Sequence, residues 1–136
     1  MASDDPQVSY RPEVDGEPDP GEVVWAWVPY EDDPTQGKDR PVLLLAEGDD
    51  GWWALMLTSQ DHDRDAAEEA RYGRVWMDVG TGGWDSEGRP SEVRLDRLLL
   101  LPRTGIRREG AALDQAIFEQ VVAAAREHHA GGPSGW

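Results

Sequence analysis

The sequence predicts a mainly β domain: an antiparallel, barrel-like sheet closed by one C-terminal helix. Between Glu22 and Leu101 the apolar residues gather in short β-branched and aromatic runs, punctuated by Gly, Pro and Asp. No long crossover helix separates those runs, so neighbouring strands should pair antiparallel. Only beyond Asp114 does the apolar spacing become helical. A chain of 136 residues fits one such domain and leaves little room for a second.

The first strand is Glu22 to Val28, apolar on both faces, as in a closed sheet rather than a surface ribbon. Pro29 to Asp39 reads as a polar loop, because Asp32-Asp33-Pro34 and Gln36-Gly37 interrupt any strand. After Arg40-Pro41, the run Val42 to Ala46 is a short buried strand, and Gly48-Asp49-Asp50-Gly51 is a hairpin turn. Trp52 to Thr58 is the returning partner. Asp61 to Arg74 is charged and contains Ala66-Ala67-Glu68-Glu69-Ala70, enough for one or two helical turns. Val75 to Val79 reads as a strand, Gly80 to Gly83 as a turn and Trp84 to Pro90 as a loop. Ser91 to Leu101 is either a strand pair or one long bent strand ending at Pro102.

Asp114 can cap a helix from Gln115 to about Glu127, its carboxylate accepting the free amides of the first turn. Leu113 and Phe118 are spaced as a hydrophobic staple across that cap. Ile117, Val121 and Ala124, beside Phe118, Val122 and Ala125, form an apolar face suited to docking on the sheet. His128-His129 at the helix end suits the negative pole of the helix dipole better than a ligand site.

Residues 1–19 are expected to be a disordered acidic arm, rich in Pro, Asp and Glu with few aliphatic anchors. Residues 130–136 read as a flexible tail, which leaves 20–129 as the folded domain. The chain has no cysteine, which removes disulfides and thiolate chemistry. No apolar stretch is long enough to span a membrane and the N-terminus is acidic, so a cytoplasmic protein with no membrane association is expected.

The formal net charge is −15. The arm accounts for −5 of it, with six acids against Arg11, and the remainder still carries −10. Such a balance opposes non-specific attraction to nucleic acid, so any phosphate-binding surface has to be a local groove. The residues alone make Arg40 a surface arginine ahead of a strand proline and Thr58 an ordinary strand residue. His62, in Asp61-His62-Asp63, reads first as part of a solvated loop, second as an acid or base working near neutral pH, and last as a metal ligand. Trp52, Trp53 and Trp76 suit a barrel core or an interface; at most one tryptophan, Trp84 in its Gly-rich loop, is expected to face a ligand.

Three segments then fall into a recognisable order: Pro20-Gly21-Glu22-Val23-Val24-Trp25, then Gly37-Lys38-Asp39-Arg40-Pro41-Val42-Leu43-Leu44-Leu45, then Leu57-Thr58-Ser59-Gln60. Together they resemble the MazF/PemK family of bacterial toxin endoribonucleases. Ser91 to Arg97 looks like a later strand of that family, and 115–127 looks like its C-terminal helix, so the similarity runs from about Pro20 to Glu127. The segment Asp61 to Trp84 is longer and more acidic than the family pattern.

The resemblance implies an SH3-like barrel, a homodimer and a cognate antitoxin protein as partner. It also implies cleavage of single-stranded RNA with no metal or other cofactor. The family's conserved arginine falls on Arg40 and its threonine on Thr58, with Ser59 and Gln60 at positions that line the RNA groove. Lys38 and Gln36, in the preceding loop, are expected to contact RNA, and His62 is a further acid/base candidate. RNA carries its own nucleophile, the 2′-hydroxyl, so such an enzyme has to align that oxygen, stabilise charge on phosphorus and move protons. A guanidinium fork suits the second task.

The acidic body suggests an antitoxin segment that inserts apolar side chains, with basic residues at its rim. Two other readings are open at this point. One is a barrel of the same fold without nuclease activity, serving as an interaction module. The other is a metal hydrolase built on Asp61-His62-Asp63.

Overall fold

The computed structural model describes residues 19–30, 33–48, 51–58, 75–85 and 87–129, with backbone alone at 107–110. The expected arm up to residue 18, the helical turns at Ala66–Ala70 and the tail from residue 130 lie outside the described residues. Six strands and one helix follow in order. These are β1 (Glu22–Pro29), β2 (Gly37–Gly48), β3 (Gly51–Thr58), β4 (Trp76–Gly80), β5 (Ser91–Leu101), β6 (Ile106–Ala112) and α1 (Gln115–Arg126). They form one sheet in the order β4-β5-β3-β2-β1-β6, and every neighbouring pair is antiparallel.

Strand alternation divides the core into two layers. Val23, Leu43, Leu45, Leu55, Leu57, Val93 and Leu95 face Phe118, Val121 and Ala125 of α1. Val24, Ala26, Val28, Val42, Leu44, Ala54, Met56 and Leu99 form the second layer on the opposite face. Val42 to Ala46 are all 0% exposed, which explains why that run is apolar without alternation. No described helix covers the second layer, so the sheet must curl over its own face to bury it. Bulges between Leu44 and Ala46, Leu55 and Leu57, and Val23 and Trp25 supply the bending. The result is an antiparallel half-barrel closed by α1, as expected.

One side-chain bond measures the curl. Arg97 of β5 donates through Nη2 to the Pro29 carbonyl of β1 at 2.7 Å. Those strands are three steps apart in the sheet, about 14 Å if the sheet were flat, farther than an arginine side chain reaches. The second face is therefore concave, and Arg97 crosses its hollow.

The helix begins as its sequence predicts. The Asp114 carboxylate accepts from the Ala116 and Ile117 amides at 3.1 and 3.3 Å, and Leu113 and Phe118 are both buried in the first layer. His129 adds a tie to the sheet, its Nε2 donating to the Leu95 carbonyl at 2.9 Å.

Two expectations are corrected, and one strand was not foreseen. The polar loop is shorter than Pro29 to Asp39, because Gly37, Lys38 and Asp39 pair with Pro29, Val28 and Trp27 as the start of β2. Residues 106–112, polar and passed over in the sequence, form β6 along the outer edge of β1. Trp84 does not face a ligand. It is 4% exposed within the first layer, its Nε1 donating to Ser91 Oγ at 3.0 Å and its carbonyl accepting from Trp25 Nε1 at 2.9 Å. Ser91 to Leu101 resolves as one long strand bent at a bulge.

Candidate active site

Strand register directs two of the sequence-predicted residues toward the same place. β2 and β3 pair Leu44 with Ala54, Leu43 with Leu55 and Val42 with Met56. Carrying that register two residues further on each strand sets Arg40 opposite Thr58. Arg40 shares its strand face with Val42 and Leu44, and Thr58 shares its face with Ala54 and Met56. Both therefore belong to the concave face, beyond the edge of the second apolar layer, away from α1.

Arg40 is half-buried, paired across β1 with Ala26. Burial pushes its guanidinium below the ordinary arginine value, while nearby Tyr30 pulls it partly back. A guanidinium that has already lost part of its water gains more from an anionic partner than a fully hydrated one. Thr58 is buried, 4% exposed. An incoming phosphodiester reaches it only if neighbouring atoms yield.

Lys38 lies two residues before Arg40 on the same strand face, exposed, across from Val28. Gln36 is exposed at the hairpin between β1 and β2, where its carbonyl accepts from the Tyr30 amide at 2.8 Å and its own amide donates to the Asp33 carbonyl at 3.0 Å. Asp33 in turn accepts from the Thr35 hydroxyl at 2.6 Å, which stiffens the turn. The hairpin thus delivers Gln36, Lys38 and Arg40 to one end of the concave face. Ser59, Gln60 and His62 lie outside the described residues.

Two residues of β5 that sequence reading did not single out border the same place. Glu92 is the direct cross-strand partner of Thr58, and on its other side it pairs with Asp78 of β4. Partners across a ladder project to the same face, so a half-buried carboxylate stands next to the Thr58 hydroxyl. Arg97 lies against Met56, its Nη1 3.9 Å from the Met56 sulfur, and spans to Pro29. Simple alternation would have put Glu92 on this face. Arg97 could not be placed from sequence, because three residues of β3, from Leu55 to Leu57, oppose six of β5, from Leu98 back to Val93. That irregularity resets which β5 side chains turn inward.

A buried ion pair supports this flank of the site. Arg94, with its side chain 6% exposed, donates through Nε and Nη2 to Asp96 at 2.9 and 3.2 Å. Asp96 also accepts from the Val75 amide at 2.9 Å, which fastens the start of β4. Burial raises the Asp96 pKa, but the Arg94 hydrogen bond, the Val75 amide and the Arg94 charge together hold it below the ordinary carboxylate value.

Chemically, the arrangement sets cationic side chains of β2 against a carboxylate of β5 across one concavity. Lys38 and Arg40 can grip a phosphodiester, Thr58 can add a hydroxyl donor, and Glu92 can accept a proton beside them. Among the described residues no cluster of His, Asp or Glu is arranged to hold a metal ion, and Asp61-His62-Asp63 lies outside them. No described helix is long and apolar enough to cross a membrane.

Residues 19–129 match the family model described as PemK-like, MazF-like toxin of type II toxin-antitoxin system. No curated protein matches the chain.

Proposed function

Because the chain belongs to the PemK-like, MazF-like toxin family of type II toxin–antitoxin systems, we propose that it is an endoribonuclease acting on single-stranded RNA. The reading is supported by the β2–β3 register, which, continued two residues beyond the Val42–Met56 pair, would bring Arg40 opposite Thr58 on the face that carries the second apolar layer, within the matched span.

In the proposed reaction Arg40 and Lys38 hold the scissile phosphate, and the adjacent ribose 2′-oxygen attacks phosphorus. The 2′-hydroxyl proton passes to the Glu92 carboxylate as the new P–O bond forms. The bond from phosphorus to the 5′-oxygen breaks, that oxygen takes a proton from water at the open rim, the hydroxide left behind takes the proton from Glu92 and restores its carboxylate, and a 2′,3′-cyclic phosphate remains. Arg40 and Thr58 stabilise the extra negative charge of the five-coordinate phosphorus, a task worth roughly 10²-fold or more in rate per donor. Gln36, and by family resemblance Ser59 and Gln60, would contact the neighbouring nucleotides. Every step uses side chains, water and the RNA itself, so the proposed reaction calls on no metal.

Family membership also supports a cognate antitoxin as partner and a homodimer as the working form. Trp27, 47% exposed on β1, and Leu100, 43% exposed on β5, are large apolar side chains that a protein partner would cover. An antitoxin segment with apolar anchors and a basic rim suits this acidic body. Purified protein incubated with unstructured RNA in a chelator tests the reading. Cleavage that leaves cyclic phosphate ends is expected; intact RNA across varied sequences would overturn it.

A further inference from the structure

We propose that Arg97 is a positioning residue of this site, a strut that fixes the β1–β2 hairpin over the ends of β2 and β3. The inference rests on the ribonuclease reading only for its effect on catalysis, not for the strut itself.

The geometry has three parts. Arg97 Nη2 donates to the Pro29 carbonyl at 2.7 Å, a link between residues 68 apart in sequence. Pro29 closes β1, pairs with Gly37, and precedes Tyr30, whose amide closes the hairpin onto Gln36 at 2.8 Å. Arg97 Nη1 rests against the Met56 sulfur at 3.9 Å, and Met56 is two residues before Thr58 on the same face. One planar guanidinium therefore touches the strand that carries Thr58 and the strand that launches the hairpin bearing Gln36, Lys38 and Arg40.

The strand ladder alone does not set that spacing. β5 and β1 are separated by β3 and β2 in the sheet, and a bulged, curling sheet has a soft degree of freedom in how far its strands fold toward one another. A bond across the hollow removes that freedom. A carbonyl pointing into a partly apolar hollow also needs a donor, which Arg97 supplies. Since its Nη2 is committed to Pro29, Arg97 acts through the hairpin rather than as a phosphate ligand.

Loss of the strut should misplace the phosphate-gripping residues without removing them. A displacement on the order of 1 Å in a catalytic group costs up to about 10²-fold in rate. The expected signature is thus a fall in kcat with KM held within about threefold, since Lys38 and Arg40 remain to attract the substrate.

The test uses the full chain and the variants Arg97→Met and Arg97→Lys, with amide hydrogen exchange and chelator-resistant RNA cleavage measured side by side. In Arg97→Met, exchange of the Tyr30 amide should quicken at least about tenfold, while the Phe118 amide in α1 stays as in the parent. Its kcat should fall about 10- to 100-fold, and Arg97→Lys, which can still donate to Pro29, should recover part of both. Parental Tyr30 exchange in Arg97→Met overturns the strut, whatever the cleavage result. Faster Tyr30 exchange with parental kcat and KM overturns its role in positioning. If the parent chain itself cuts no RNA, the ribonuclease reading and the catalytic half of this proposal fall together, and the exchange result decides the strut alone. Should Arg97→Met melt below the assay temperature, Arg97→Gln takes its place with the same outcomes.

Discussion

Thr58, the last residue of β3, stands directly across from Glu92 of β5 on the face turned away from α1. A hydroxyl and a carboxylate so placed divide the work of the proposed reaction, one stabilising negative charge and the other receiving a proton. Replacing Glu92 with Gln keeps the size and removes the basicity. The variant is expected to lose about 10²-fold in kcat with little change in KM. A parental kcat in Glu92→Gln would remove Glu92 from the mechanism.

The Arg94–Asp96 pair makes a prediction about stability rather than chemistry. Asp96 has a folded-state pKa below its ordinary value, so it binds its proton less readily when folded than when unfolded. Its contribution is fully present above the ordinary carboxylate value of 3.8 and is lost as pH falls through the lower folded-state value. Asp96→Asn also leaves the buried Arg94 charge without its carboxylate, at a cost of about 1–3 kcal/mol. Thermal melts should therefore show a gap between parent and Asp96→Asn that is widest near neutrality and closes below about pH 4. A gap constant from pH 7 to pH 2.5 would refute this assignment.

Gly37 is a glycine for reasons of space. A Cβ there would meet the Val28 carbonyl oxygen, lie 2.7 Å from the Trp27 ring and 2.8 Å from Pro29 Cα, and two of those neighbours are backbone atoms that cannot swing aside. Gly37→Ala should destabilise the chain by about 1–3 kcal/mol. It should also slow RNA cleavage at temperatures where the variant is still folded, since the clash spreads the hairpin that carries Lys38 and Arg40. Denaturant melts and cleavage assays at 20 °C check both halves.

Much of this architecture was legible in the residues. The all-apolar run Val42 to Ala46 announced a strand buried on both faces, and Asp114 with Leu113 and Phe118 marked the helix start, because local chemistry dictates both. β6 was not legible: it is polar, lies at the sheet edge and owes its extended form to pairing with β1 rather than to its own pattern. The early start of β2 escaped for the same reason, since Gly37 to Asp39 become strand only because Val28 and Pro29 lie alongside. In the site, the order of segments pointed to Arg40 and Thr58. Arg97 was hidden by a β5 bulge that no alternation pattern reveals, and Trp84 misled because a Gly-rich loop resembles a ligand loop even when its tryptophan turns inward.

The central claim is that Arg40 and Thr58 act together on one phosphodiester. Cleavage of unstructured single-stranded RNA, followed in excess chelator for the parent, Arg40→Ala and Thr58→Ala, tests it most directly. The account predicts that the parent cuts and that each variant is slower by about 10²-fold or more, with folded-state melting close to the parent's for Arg40→Ala. Parental rates in both variants would contradict it.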